Sequence, residues 1–179
     1  MSSFAQDIAG AFTANTITQY IACLIISMIP LIELRGAIPI AYWFRAMNPD
    51  FNLVLGYVII AIGNMIPVPI IFFFARKVLE WGADKKIIGK FFSFCLEKGH
   101  KGGEKLQSKA GRGLFVALML FVGIPLPGTG AWTGTLAASI LDMKFKDSIL
   151  AVVCGVALAG VIVGLLCTLG FGAWFGIAG

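Results

Sequence analysis

Glu33-Leu34-Arg35-Gly36 carries the only charges between Asp7 and Arg45, in a stretch that is otherwise apolar or neutral. Ionised side chains at bilayer depth cost about 2.5–3.5 kcal/mol even on insertion scales, and those that persist usually pair or face a cavity. A carboxylate such as Glu33 in that setting can take up and release a proton. Arg35 stays charged, and its planar fork suits a phosphate or carboxylate. The competing structural reading has both side chains snorkel to an interface from a shallow hairpin.

A second cluster, Pro127-Gly-Thr-Gly-Ala-Trp-Thr-Gly134, offers bare backbone at Gly128 and Gly130 and hydroxyls on Thr129 and Thr133. A half-helix starting there could aim N–H groups at an anion. Its spacing is GxGxxxG, no strand precedes it, and no βαβ unit exists to hold a dinucleotide. Asn64, beside Gly63 and followed by Pro67 and Pro69, is a third polar interruption. Two uses stay open for it, a cavity wall or a hydrogen bond to a neighbouring helix. Hydrolytic chemistry fails on inventory, because the single His100 lies in a basic, water-facing segment and Glu33 is the only acid expected at depth. Four cysteines without CxxC spacing and one histidine predict neither a disulfide framework nor a metal centre. The absence of a Walker motif argues against direct use of ATP, and no cofactor is expected.

These groups must be held by membrane helices. The 179 residues are 59% hydrophobic and only 13% charged, about half the charge of soluble domains, and mean hydropathy is +0.92. Residues 8–32, 51–75, 113–141 and 148–179 contain no Asp, Glu, Lys or Arg. Each exceeds the roughly 20 helical residues that cross the hydrocarbon core. Residues 76–112 are the opposite: ten of the fourteen basic residues stand there against four acidic ones, a net of +6. By the positive-inside rule this linker is cytoplasmic. Tethered between membrane segments, it suits anionic lipid rather than nucleic acid, and its Ile87, Ile88, Phe91, Phe92 and Phe94 suit a surface helix. The N-terminus has no basic residue before its first apolar run, which argues against a cleaved signal. Phe4, Ile8 and Phe12 share one helical face there, as an interfacial helix requires.

Two apolar segments are interrupted alike. Residues 24–44 read LIISMIPLIELRGAIPIAYWF and residues 119–139 read MLFVGIPLPGTGAWTGTLAAS. Each reaches Ile-Pro-Leu, at 29–31 and at 124–126 (Pro125), then a Gly-containing polar break, a second short run, a charged turn and a full apolar helix. The tripeptides lie 95 residues apart, with the surrounding elements in the same order. Proline removes a helical donor, and in hydrocarbon the freed groups survive only where they are buried or line a wet cavity. Matched breaks in two halves are the sequence pointer to a transporter site near the midplane. The bland alternative is a pair of kinks that serve packing. With the linker inside, one break opens from each side, which predicts two inverted repeats with both termini outside and the hairpin tips meeting at mid-depth.

Ile-Glu-Leu-Arg-Gly-Ala-Ile-Pro at 32–39, Gly-Asn with prolines at 63–69, and Ile-Pro-Leu-Pro-Gly-Thr-Gly-Ala-Trp-Thr-Gly at 124–134 resemble the prokaryotic small multidrug export protein family. The resemblance covers roughly residues 16–170 and implies export. The paired re-entrant organisation is also similar in architecture to DedA-like proteins, which implies proton-coupled movement of a lipid carrier, though no signature residue carries over.

The expectation is an all-α integral membrane protein of the inner membrane. It has two inverted repeats (about 15–75 and 113–170), each a broken, re-entrant helical hairpin followed by a transmembrane helix, joined by the basic amphipathic linker 76–112. It would act as a small secondary transporter or exporter coupled to protons, not as an enzyme. Glu33, Arg35, Gly36, Asn64, Pro125, Pro127, Gly128, Thr129, Gly130 and Thr133 would line its proton and substrate site. The alternatives are flipping of an anionic lipid carrier and a non-transporting scaffold. Expected partners are membrane lipids, a small-molecule or lipid substrate and a second copy of the chain, with no nucleic acid.

Overall fold

A computed structural model describes residues 15–30, 32–83, 113–126 and 128–175. Among these the chain is helical, without strands: α1 (Thr16–Met28), α2 (Glu33–Met47), α3 (Leu53–Met65), α4 (Pro67–Ala83), α5 (Gly113–Gly123), α6 (Ala131–Ile140) and α7 (Phe145–Phe175). The stretch Leu53–Phe74, spanning α3 and the start of α4, and Phe145–Gly170 in α7 are long and apolar enough to cross a membrane. At 10 to 15 residues, α1, α2, α5 and α6 each extend about 15–23 Å, short of the hydrocarbon thickness. The predicted helix–break–helix order is thus present at 16–47 and again at 113–140. The interfacial helix expected near the N-terminus, nearly all of the basic linker and His100 lie outside the described residues.

The chain divides into two compact units, residues 1–65 with 157–179, and residues 66–156. In the first, α1, α2 and α3 pack against one another. Asn15 starts α1 by accepting the Ile17 N–H at 3.0 Å, which satisfies one of the donors that a helix leaves without an intrahelical partner. The core joins Cys23, Leu34, Ala37, Ile38, Ala41, Phe51 and Ile60 to Ala159, Val163 and Cys167 of α7. At the N-terminal end of α1, the Asn48 side-chain amide donates to Thr16 Oγ1 (3.0 Å) and Gln19 Oε1 (2.9 Å), tying the α2–α3 turn to α1. Deeper in the unit, the Tyr42 hydroxyl donates to the Gly164 carbonyl at 3.3 Å, and a Cβ at Gly164 would run into the Tyr57 hydroxyl.

In the second unit, α6 packs against both α4 and α5. Ser139 donates to the Phe72 carbonyl at 2.9 Å, and Phe72 and Phe73 stack edgewise and tilted on Phe145. Small residues set the spacing around Val122: a Cβ added to Gly134 would meet Val122 Cγ2 at 2.5 Å, and one added to Gly155 would meet the Met119 carbonyl at 2.8 Å.

The exposed side chains on these helices are overwhelmingly Ile, Leu, Val and Phe, among them Ile17, Ile21, Ile25, Val54, Ile62, Leu150, Val161, Leu165 and Leu169. Contiguous apolar exposure on this scale is foreign to a water-soluble monomer and is what lipid-facing helices present.

Candidate functional site

The Glu-Leu-Arg-Gly tetrapeptide was expected within a polar break. It lies instead in the first turn of α2, and the interruption falls at 29–32. An acid in the first helical turn complements the positive end of the dipole, and Leu34 is drawn into the core, so the helix begins at Glu33. Pro39 stays inside α2 without ending it. Glu33 is 4% exposed and takes a left-handed backbone, φ 50°, which only Gly adopts without cost. Its N–H donates to the Ile29 carbonyl at 3.0 Å, and the Gly36 N–H donates to the Ile32 carbonyl at 3.0 Å, so the turn closes tightly over the break. A Cβ at Gly36 would strike the Ile32 side chain, which gives this glycine a steric reason. Arg35 is half-buried, and the Glu33 charge acts on its guanidinium.

Asn64 lies in the same unit, one turn after core residue Ile60, and is completely buried. Neither Asn64 Oδ1 nor Nδ2 has a hydrogen-bond partner among the described residues. The helix bond to a neighbour that its position allowed is therefore not made here. Gly63 brings α1 close: an added Cβ would meet the Ser27 hydroxyl, and the Leu24 carbonyl at 2.7 Å. Ser27 is itself fully buried and donates to that Leu24 carbonyl at 2.8 Å.

The second break belongs to the other unit. Gly128 (φ 80°) and Gly130 (φ 150°) adopt conformations that require glycine. Thr129 Oγ1 lies 2.9 Å from both the Ile124 and Leu126 carbonyls and 3.3 Å from the Leu126 N–H. Thr133 donates to the Gly130 carbonyl at 3.4 Å. Both hydroxyls thus hold the loop in shape. Pro125 stands half-buried in this loop, while Pro127 lies outside the described residues. Ala131, Trp132 and Thr133 open α6.

Residues 33–162 match the family described as "Putative small multi-drug export protein". The chain belongs to that family. No curated protein and no solved structure matches the chain. The segment shared with the small multi-drug export family begins at Glu33 itself and includes Asn64 and the whole 124–134 loop, so every expected site residue falls inside it. Family membership and the two membrane-length apolar helices make this a membrane protein of an export family.

Sequence reasoning missed Ser27 and Gln19, both fully buried polar side chains in α1. Their signal was present, as isolated polar residues in an apolar run. Asp142 was also missed: it shares with Glu33 the distinction of being a non-glycine residue at positive φ (52°), and these two are the only such residues described.

Proposed function

We propose that this protein is a small proton-coupled secondary transporter, a multi-pass protein of the inner membrane that exports its cargo and catalyses no covalent reaction. One observation carries the reading: Glu33 is a nearly inaccessible carboxylate, held in a costly backbone conformation at the head of a helix, beside Arg35. A fold with no use for that acid could place Gly or Asn there at lower cost. Glu33 exchanges the proton, and Arg35 anchors an anionic group or serves as counter-charge. The inverted-repeat organisation belongs to the same proposal, supported by the recurrence of short helix, break and short helix in the chain.

Arg35 favours one second reading, in which the cargo is the phosphate of an anionic lipid carrier that is flipped rather than released. Proteoliposomes with and without an imposed proton gradient separate the two readings. Gradient-driven solute flux supports export, gradient-driven movement of labelled anionic lipid supports flipping, and the absence of both defeats the transporter reading. In either case Glu33→Gln is expected to abolish the gradient response.

A further inference from the structure

We infer that the Asn64 break is a binding site for a dehydrated alkali-metal cation. The oxygens at this break are Asn64 Oδ1, the carbonyls of Gly63 and Met65 and, from α1, Ser27 Oγ beside Gly63. Asn64 Oδ1 is fully buried and without a partner among the described residues. Pro67 and Pro69 have no N–H, so the carbonyls of Gly63 and Met65, four residues earlier, lose the donors that a continuous helix would give them. Ser27 Oγ spends its hydrogen on the Leu24 carbonyl, which leaves its lone pairs, and it stands against the Cα of Gly63. An unmet amide in an apolar interior costs about 1–3 kcal/mol, and in hydrocarbon no bulk water relieves it.

The donor set specifies the class of ligand. Hard, uncharged oxygens suit an alkali or alkaline-earth ion, and thiol or imidazole metals have no ligand here. Divalent ions of this type are bound through several carboxylates, whereas Glu33 is the one buried acid described in this unit. Single charge is what remains. Interrupted helices whose carbonyl ends face an ion are how transporters hold coupling cations. As a binding site this stands apart from the cargo reading. Only its use as a coupling site rests on the transport proposal above.

Thermal unfolding of the purified full-length protein in detergent tests it, in sodium, potassium or choline chloride at equal ionic strength. A saturable rise in Tm with sodium or potassium over choline is expected. Asn64→Leu, close in volume and without polar atoms, should melt higher than the unaltered protein in choline and lose the ion response. Ser27→Ala should weaken that response, and Glu33→Gln should keep it, which separates a failed cation site from a failed proton site. Should Asn64→Leu not fold, Asn64→Asp retains the oxygen and adds a charge, and should respond at lower ion concentration. Equal Tm in all three salts overturns the inference and leaves an internal water as the partner of the amide. An ion response that survives in Asn64→Leu, or that is unchanged in Asn64→Asp, overturns it as well.

Discussion

The charged pair at the start of α2 can be taken apart by substitution. Glu33→Gln keeps shape and hydrogen bonding but fixes neutrality, so proton-driven flux in proteoliposomes should stop while the thermal midpoint moves little. Arg35→Lys keeps the charge and loses the fork, and should weaken an anionic cargo by about 1–3 kcal/mol in binding titrations. If the pair only neutralised itself, Glu33→Gln would leave a half-buried guanidinium uncompensated and destabilise the fold, and Glu33→Gln with Arg35→Met would restore both stability and flux. Restored flux in that double variant rules out the assignment. Much of this was legible in the sequence, because two charges in an apolar run are conspicuous. The left-handed φ of Glu33 was not, since nothing in a Glu codes for it. Nor was the retention of the Thr129 hydroxyl by its own loop, which depends on how Gly128 and Gly130 fold the chain back.

Among the helices, glycines divide into those that set distances and those that do not. Gly155→Ala pushes a methyl towards Val122 and the Met119 carbonyl, and backbone cannot swing aside as a side chain can. It should cost about 1–3 kcal/mol, read as a lower Tm in detergent. Gly128→Ala meets nothing within 4 Å, so only its φ of 80° opposes it, at about 1–2 kcal/mol. Gly170→Ala, helical and equally open, should raise Tm, with up to about 1 kcal/mol gained from helix propensity. A Gly170→Ala that destabilised as much as Gly155→Ala would show that packing does not govern the difference. Element identities were readable from charge-free lengths and from Ile-Pro-Leu at both breaks. The start of α2 was misplaced because Glu, Arg and Gly look like a break by polarity, although an acid and a buried Leu are also what a helix head accepts. The tolerance of Pro39 inside α2 and the closeness of Gly63 to Ser27 depend on which helices pair, and local sequence does not encode that pairing.

For the whole molecule, the charge asymmetry yields an orientation. With ten basic residues between 76 and 112, a cysteine replacing Lys101, in a background without native cysteines, should resist an impermeant reagent in intact cells and react after permeabilisation. Labelling from outside would reverse the topology and place both termini in the cytoplasm. Composition alone announced the membrane. The division into units did not show in it, because the first unit is discontinuous in the chain.

That discontinuity sets a schedule for synthesis. Leu34 and Ile60 share a core with Ala159, Val163 and Cys167, residues made about 100 positions later. At about 5–20 residues per second, the first unit waits roughly 5–20 s for its last helix to be translated. During that interval Glu33 and Asn64 belong to a unit whose core is unfinished, so any insertion chaperone would meet them before α7 does. Ribosome-arrested chains ending before residue 157 should therefore react readily at Cys23, which is buried in that core, with a membrane-permeant thiol reagent, and chains released at full length should be protected there.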